Sequence, residues 1–527
     1  MKCGALLRPS SLWQLRRATV GNYFRAAHSI VASQEPLSND PGSSGADPYD
    51  VVIVGGGMVG AAVACGLASS HLTRSLRVAI VDGNPATKES YSPPKDAIPD
   101  SRVSAITPAT VRFLQGIGAW ETVLENRPAP FDSMQVWDYT SRGFTRYEAA
   151  DVGEDVLGYV VENNVLISSL TSTLQRSDFA ETICPARVKR VQFPSDRSDT
   201  GHNAGVHHLW EMANSQTTAS TASTSSEETK SGQMDSGSSH SNDNWAHVIL
   251  EDGRVLQSRL VVGADGGHSK VRAMANLKTS GWNYDQHALV CTVKVTNPHS
   301  TAWQRFLRTG PLALLPMGGH YSNIVWSTSP GRAKELKEMS QEEFVLETNR
   351  ALTKNEDTFP DSQLARDITS KWLSPLFGDS PPSAAEPFHV PPLVTECLTP
   401  RLSFPLSLKH ASQYVSTRLA LVGDAAHTVH PLAGQGVNLG FGDAASLVKI
   451  IGDGVKTGAD IGQLALLEKY EKDRMWANVP MMAVLDGFQR VFSADFLPVQ
   501  LARAVGFNAA NYVGPLKRQI ISFAMGR

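Results

Sequence analysis

The chain has 527 residues, of which 41% are hydrophobic and 19% charged, a globular composition with enough apolar surface for a large core. A formal net charge of -3 excludes a dominantly basic nucleic-acid-binding protein. The five cysteines lie far apart without a CxxC pair, which excludes a disulfide framework and a standard zinc module and fits a reducing compartment: Cys3, Cys65, Cys184, Cys291 and Cys397.

The first 34 residues carry positive charge without any acid. The cations that precede the first acidic residue, Glu35, are Lys2, Arg8, Arg16, Arg17 and Arg25. An Arg-rich, acid-free start predicts a mitochondrial transit peptide, and a disordered basic tail is the alternative. Residues 35–47 are rich in turn-forming residues and are predicted to be a linker.

The most apolar 20-residue stretch, Val51–Ser70, is predicted to be a strand, a tight turn and a helix, and we find no membrane span. Its turn reads Gly55-x-Gly57-x-x-Gly60. Gly55 permits the turn, Gly57 lets the backbone approach a pyrophosphate, and Gly60 lets helix and strand pack closely. Asp82 ends the next predicted strand, where it is placed to bind a ribose hydroxyl. The pattern predicts a dinucleotide site and does not distinguish NAD from FAD.

Two later segments make that distinction. Leu260–Arg272 is a predicted strand followed by a turn that contains Asp265, and Leu419–Gly442 begins with a strand that ends in Gly423 and Asp424. Together with the glycine turn, these segments resemble the three fingerprints of the aromatic hydroxylases that use a single FAD: the glycine turn, the DG motif and the GD motif. The resemblance implies an FAD cofactor.

Further residues are candidates for contact with the flavin. Asp424, at a strand end, offers a carboxylate to the ribityl hydroxyls, and Arg102 resembles the arginine that contacts flavin in this family. Gly434 and Gly436 are predicted to open a helix whose N–H groups would stabilise anionic reduced flavin. Asp265 either supports the cofactor or only bonds its own backbone.

No side chain is assigned a catalytic role, because in this family the flavin itself transfers the oxygen. His427 and His430 flank the GD motif, and each is either structural or close to the flavin ring. A second complete G-x-G-x-x-G is absent, so the reductant is expected to bind transiently or to be another protein. We predict no metal site, since His207 and His208 have no further ligands at suitable spacing.

The resemblance narrows to one branch of these hydroxylases. The segments that carry it are Met134–Asp138, Gly158–Leu166, Trp282–Gln286, Ala302–Leu307, Gly310–Pro316 and His430–Asp443. They are similar to the flavin hydroxylases of ubiquinone biosynthesis, in their eukaryotic mitochondrial form. The Ser/Thr-rich tract 213–244 departs from that pattern and is predicted to be a disordered insertion in a hairpin between strands near Arg187–Val191 and Ala246–Leu250.

This resemblance implies hydroxylation of a polyprenyl 4-hydroxybenzoate-derived ring at carbon 5, through a flavin carbon-4a hydroperoxide. It also implies electrons from a ferredoxin and its reductase and other ubiquinone-biosynthesis proteins in a complex. Because such a substrate is very lipophilic, we expect a peripheral position on the matrix side of the inner membrane. Two alternatives remain: an NAD(P)H-dependent phenol hydroxylase outside the pathway, and a flavin-binding scaffold subunit of a biosynthetic complex.

The expected fold is α/β: a Rossmann-like FAD-binding domain of the p-hydroxybenzoate hydroxylase type, a sheet-containing substrate domain and a helical C-terminal region. The pocket walls are expected from Trp303–Met317 and Ile324–Ser327. Trp303, Phe306 and Trp326 are aromatic candidates, and plain core packing is the alternative for each. The tail, Val479–Arg527, either lies on a membrane or partner, or packs on the core.

The predicted division is 1–34 transit peptide, 35–47 linker, 48–130 first part of the FAD-binding domain, 131–155 substrate-domain segment, 156–278 second part of the FAD-binding domain with the insertion, 279–412 substrate domain, 413–450 third part with the GD motif, and 451–527 C-terminal helical region.

Overall fold

The computed structural model describes residues 46–85, 93–94, 96–139, 144–194, 244–353, 387–431, 434–493, 499, 503, 506–507 and 510–526. The predicted transit peptide (1–34) lies outside these residues, as does the predicted insertion (213–244) apart from Asn244. Both stay predictions.

Strands and helices alternate along the chain, and each of the three motif turns follows a strand. The strands are β1 (Ala46–Val54), β2 (Val78–Val81), β3 (Val103–Ile106), β4 (Ala129–Phe131), β5 (Ser133–Asp138), β6 (Phe144–Glu148), β7 (Gly158–Glu162), β8 (Ala180–Ile183), β9 (Val188–Gln192), β10 (Ala246–Leu250), β11 (Val255–Gly263), β12 (Thr279–Val295), β13 (Thr301–Leu307), β14 (Gly310–Pro316), β15 (Tyr321–Thr328), β16 (Val394–Cys397), β17 (Leu402–Ala411), β18 (Val415–Ser416), β19 (Leu419–Leu421) and β20 (His427–Thr428). The α-helices are α1 (Met58–Ser69), α2 (Pro108–Gly116), α3 (Trp120–Glu125), α4 (Asn163–Ser177), α5 (Lys270–Met274), α6 (Pro330–Glu338), α7 (Gln341–Thr353), α8 (Gln435–Thr457), α9 (Leu464–Ser493) and α10 (Gly514–Ala524).

Sheet A carries the sequence motifs. Its strands run in the order β18-β19-β11-β1-β2-β8, with β10 and β9 extending from β11. The pairs β19–β11, β11–β1, β1–β2 and β2–β8 are parallel. Helices α1, α4 and α8 bury Leu67, Leu170 and Leu447 against this sheet, since strands covered by helices are apolar on both faces.

Sheet C has the order β20-β17-β12-β15-β14-β13-β5-β6, with β16 beside β12. All its pairs are antiparallel except β13 with β5. One face packs under α6 and α7, which contribute Leu336 and Phe344 to its core, and we call it the outer face. The opposite, inner face meets the motif-bearing part of the chain. The small sheet B has three strands in the order β3-β7-β4.

The predicted hairpin is confirmed, because β9 and β10, the strands on either side of the tract 213–244, pair antiparallel. For Trp303 and Trp326 the structure supports plain core packing and not a place in the pocket wall. Both belong to the outer-face core beneath α6 and α7, because their positions in β13 and β15 have that parity. Phe306 lies on the inner face, where its ring stacks on Phe492 with centroids 3.8 Å apart.

The C-terminal region packs on sheet C through buried ion pairs. Arg503 meets Asp138 of β5 at 3.2 Å, and Lys517 meets Asp151 at 3.3 Å. One part of the predicted amphipathic tail therefore belongs to the core. None of the described helices combines the length and the hydropathy that crossing a bilayer requires.

Candidate cofactor and substrate site

The three motif turns and the turn that follows β2 converge at one edge of sheet A. Gly55, Asp82, Asp265 and Asp424 each follow the carboxyl end of a parallel strand, namely β1, β2, β11 and β19. These strands are direct neighbours in the order β19-β11-β1-β2. The carboxyl edge of an open parallel sheet is where such folds bind dinucleotides.

The glycine turn has the backbone that its sequence predicts. Gly55 has a φ of 106°, and a Cβ there would overlap the carbonyl group of Ala264. A Cβ on Gly60 would overlap the carbonyl oxygen of Gly55, so helix α1 packs directly on the turn. A Cβ on Gly57 would have no protein atom within 4 Å. Gly57 therefore faces open space at the start of α1, as a site for an approaching anion requires.

Asp82 closes the neighbouring end of the site. Its carboxylate accepts the backbone N–H of Gly56 at 2.5 Å and that of Asn84 at 2.6 Å. It lines a cavity of about 370 Å³ together with Gly55, Asp265 and the cationic Lys270.

The two sequence interpretations of Asp265 each describe one of its oxygens. Oδ2 accepts the N–H groups of Lys270 and Val271 at the start of α5, as a structural aspartate does. Oδ1 is buried and has no hydrogen-bond partner. Such an atom is unfavourable without a donor, so Oδ1 is available for a ligand hydroxyl.

Arg272 joins the DG and GD loops, a role that sequence reasoning missed. Its guanidinium donates to the carbonyl oxygens of Ala425 at 2.6 Å and Gly267 at 3.1 Å. Burial lowers the pKa of Arg272, and the carboxylate of Asp265 opposes this shift.

The GD loop is held from beneath by Asp443 of α8. This buried carboxylate accepts from Gly423 N at 2.9 Å, His427 Nε2 at 2.6 Å and Arg474 Nε at 2.8 Å. Burial alone would raise the pKa of Asp443, but the facing His427 and Arg474 hold it below its usual value. The only signal in the sequence is an acid within an otherwise apolar helical stretch.

Asp424 itself remains accessible from the cleft. Desolvation by the surrounding protein raises its pKa, and the nearby His427 opposes this shift. Gly423, beside it, has a φ of 58° and lies against Val59 of α1. The GD turn thus lies directly next to the helix that begins at the glycine turn.

Helix α8 begins where the GD segment meets β3. Gly434 caps it with a φ of 64°, and a Cβ there would lie 2.9 Å from Cβ of Ala105. Asn438, one turn later, accepts the N–H of Thr107 and donates to the carbonyl oxygen of Ala105. Gly436 would place a Cβ only at van der Waals distance from Val429, so the first turn of α8 is open on that side.

Arg102 extends from the loop before β3 with its side chain 57% exposed, 3.6 Å from Asp100. Two bonds fix this loop to the inner face of sheet C. Thr292 donates to Pro99 O at 3.0 Å, and Asn323 donates to Ser101 O at 2.9 Å. The loop that carries Arg102 is therefore held at the inner face of sheet C, just before the strand whose Ala105 lies against Gly434.

The residues of the cleft fit a ligand that carries phosphates and hydroxyls. Asp265 Oδ1, His427 Nδ1 and Thr428 Oγ1 are buried without partners, and Gly57 lies at an open helix N-terminus. FAD matches this donor and acceptor set. Within the residues that the structure describes, no three His, Cys, Asp or Glu side chains come together as a metal site.

The inner face of sheet C continues from this junction as an apolar surface. The ladder places Val136, Gln304, Ala313, Val325, Val290 and Leu402 in one row across the sheet. Helix α9 covers the Val136 end with Met481 and Leu485. At the opposite end Leu402 and Phe404 stay 40% and 43% exposed. The row is apolar except for Gln304, and it runs from beneath α9 to two exposed apolar side chains at the β17 end.

Comparison with known proteins identifies relatives over nearly the whole chain. A family model described as FAD binding domain matches residues 209–371 and 383–482. Ubiquinone biosynthesis monooxygenase COQ6, mitochondrial, from Xenopus tropicalis is 37% identical over 92% of this chain and 94% of that protein. The protein of the same name from Homo sapiens is 35% identical over 92% of this chain and 94% of its own length.

Solved structures share the fold at lower identity. The p-nitrophenol 4-monooxygenase PnpA of Pseudomonas putida aligns with a TM-score of 0.58 and 16% identity, covering 91% of this chain and 99% of that one. PqsL of Pseudomonas aeruginosa, a probable FAD-dependent monooxygenase, aligns with a TM-score of 0.57 and 18% identity over 88% of this chain and 99% of its own. The predicted α/β architecture of the p-hydroxybenzoate hydroxylase type is confirmed.

Proposed function

Because the chain belongs to the COQ6 family of ubiquinone biosynthesis monooxygenases, we propose that it is an FAD-dependent monooxygenase that hydroxylates ring carbon 5 of a polyprenyl 4-hydroxybenzoate derivative. The observation that carries the proposal is the convergence of the glycine, DG and GD turns at one sheet edge, and we propose that the largely apolar row on the inner face of sheet C lines a substrate groove.

We assign FAD binding to the residues of this edge. The set is Gly55, Gly57, Gly60, Asp82, Arg102, Asp265, Gly423, Asp424, Gly434 and Gly436. When bound, FAD supplies the activation of dioxygen and the transfer of one oxygen atom to the ring. The chain itself binds and orients the ring and keeps water from it. The division into three FAD-binding parts and a substrate domain belongs to the same proposal, and the membership of the strands in sheets A and C supports it.

The apolar groove suits a lipophilic substrate. An aromatic ring at the junction of the sheets would leave a prenyl tail to follow Val290 toward Leu402 and Phe404. Burying such a tail is favourable by about 25 cal/mol per Å² of apolar surface removed from water.

A mitochondrial location follows from the family, and we propose a peripheral position on the matrix side of the inner membrane. Helix α9 supports it. Trp476, Val484, Phe488 and Val491 are exposed and fall within about one third of the helix circumference. The adjoining side of α9 packs on the inner face of sheet C through Met481 and Leu485. One helix thus combines an exposed apolar surface with packing on sheet C, the sheet that we propose binds the substrate.

We further propose that a ferredoxin and its reductase donate the electrons, and that other ubiquinone-biosynthesis proteins form a complex with this chain. Rapid NADPH oxidation on addition of a soluble phenol would instead support an NAD(P)H-dependent phenol hydroxylase. Omitting ferredoxin from a reconstituted assay with NADPH separates the two donors.

The pathway and the step are tested by lipid mass spectrometry of cells that lack the protein. We expect a prenylated 4-hydroxyphenol without oxygen at ring carbon 5 to accumulate, and the wild-type chain to clear it. An unchanged quinone pool would reject the pathway assignment.

The scaffold alternative is tested by Asp424→Ala. We expect this variant to purify without FAD and to leave the intermediate uncleared, whereas Asp453→Ala, an exposed acid on α8, serves as the matched control. Normal quinone production by a folded, flavin-free Asp424→Ala protein would overturn the enzymatic proposal.

A further inference from the structure

His430 links the GD segment to sheet C through one ring nitrogen, and its other ring nitrogen has no hydrogen-bond partner. The side chain is fully buried. Its Nε2 lies 3.2 Å from Oε1 of Gln286 on β12. Its Nδ1 is buried and has no hydrogen-bond partner.

The neighbours of Gln286 determine which nitrogen carries the proton. Nε2 of Gln286 donates to the carbonyl oxygen of Thr309 at 2.9 Å, so its Oε1 is the acceptor that faces His430. Gln489 of α9 donates to the same oxygen at 3.4 Å. Nε2 of His430 is therefore the donor. Burial lowers the pKa of His430 to about 4, so the ring is neutral at physiological pH and Nδ1 is a bare acceptor.

Gln286 places this acceptor beside the proposed ring site. It lies where the register of β12 against β17 shifts between Asn283 and His287, an irregularity of the kind found next to active sites. Gln286 precedes His287, which shares the outer-face side of β12 with Leu289, so alternation along the strand places Gln286 on the inner face of sheet C. A buried acceptor without a donor is unfavourable, and a ligand hydroxyl would supply the missing hydrogen bond.

We propose that Nδ1 of His430 accepts the hydrogen bond of the ring hydroxyl of the aromatic substrate, with Gln286 fixing the required tautomer. This inference rests on the proposed function and deepens it. An acceptor at the hydroxyl increases the electron density of the ring at the adjacent carbon, which is the position that an electrophilic oxygen attacks. The neutral imidazole orients and polarises the hydroxyl and takes no proton.

Two substitutions separate this role from a purely structural one. In His430→Asn the amide oxygen can occupy the position of Nδ1, while the bond to Gln286 is lost. In His430→Gln the amide can replace Nε2 and keep the bond to Gln286, while the acceptor at Nδ1 is lost. The probes are a short-chain prenyl 4-hydroxybenzoate and the same benzoate without the 4-hydroxyl, titrated into the holoenzyme by the change in flavin absorbance.

We expect the wild type to bind the hydroxylated probe about tenfold more tightly than the other, the value of one hydrogen bond. His430→Asn keeps this preference, and His430→Gln loses it. Gln286→Leu removes the bond that fixes the His430 tautomer, so it should also reduce the preference for the hydroxylated probe. It provides a second variant if either His430 variant fails to fold.

The opposite pattern, preference kept in His430→Gln and lost in His430→Asn, would show a structural role and overturn the inference. An unchanged preference in all three variants would also overturn it, as would a loss of FAD affinity without any change in preference. Failure of the proposed function is distinguishable, because wild-type holoenzyme would then bind neither probe and hydroxylate neither.

Discussion

Nε2 of His427 lies 2.6 Å from Oδ2 of Asp443, and both side chains are buried. The same oxygen accepts the N–H of Gly423, so one carboxylate on α8 fixes both ends of the GD turn. Arg474 and Asn478 of α9 bond the other oxygen, at 2.8 Å and 3.0 Å. The conformation of the GD turn therefore depends on two helices that lie outside the motif.

Asp443→Asn tests this dependence. The substitution leaves the buried Arg474 without its counter-charge, so we expect the free energy of unfolding to fall by about 3–5 kcal/mol. Denaturant unfolding of the FAD-free protein measures it. Asp453→Asn makes the same change at an exposed position of the same helix and should change stability little. Equal stability of the two variants would contradict the role of Asp443.

Gly57→Ala separates cofactor binding from folding. The added methyl group meets no protein atom within 4 Å and the backbone φ is an ordinary -68°, so we expect stability without FAD to be retained. The methyl group occupies the approach to the helix N-terminus, so FAD affinity should fall at least about tenfold. Fluorescence titration with FAD measures this, with Gly116→Ala, an equally open helix position outside the cleft, as control. Unchanged affinity in Gly57→Ala would place the pyrophosphate elsewhere.

His410 gives the fold a defined pH dependence. Burial lowers the pKa of His410 to about 4 from an ordinary 6.5, and the neighbouring His427 adds to the shift. The unfolded chain binds this proton below pH 6.5 and the folded chain does not, so stability is lost as the pH falls from about 6.5 toward 4. Between pH 6.5 and pH 5 the free energy of unfolding should fall by at most about 2 kcal/mol through this group.

The measurement compares unfolding at pH 7 and pH 5. His410→Gln should narrow the difference in unfolding free energy between the two pH values, whereas the exposed His71→Gln should not. An equal narrowing in both variants would show that His410 is not the group responsible.

Leu402→Ser and Phe404→Ser test the tail groove. Because these side chains are exposed in the free protein, we expect folding to be kept and KM for a long-tailed substrate to rise about threefold to tenfold, while KM for a short-tailed analogue stays the same. Leu346→Ser, a more exposed leucine on α7 of the outer face, is the control. A tail-independent effect would remove Leu402 and Phe404 from the path of the tail.

The exposed surface of α9 is tested by vesicle binding. Replacing Trp476, which is 69% exposed, and Phe488 with serine should weaken co-sedimentation with liposomes of inner-membrane lipid composition. Leu124→Ser, on α3, removes a similarly exposed apolar side chain and should leave binding unchanged. If the double variant sediments as the wild type does, another surface makes the membrane contact.

The sequence by itself determined the cofactor class and the motif turns. A turn such as that at Gly55 has a backbone conformation that favours glycine, so the glycine pattern is visible in the local sequence. It also indicated the order of strands and helices around the motifs. The residues that stabilise the turns were missed: Arg272 and Asp443 lie far along the chain from some of their partners, and only packing of α8 and α9 brings these together. Likewise, alternation along β13 and β15 indicates which residues lie on the same face as Trp303 and Trp326. It does not indicate which face of sheet C is covered by α6 and α7. That choice depends on the pairing of β13 with β5 and of β15 with β12, which are contacts between distant segments, so only the tertiary structure decided it.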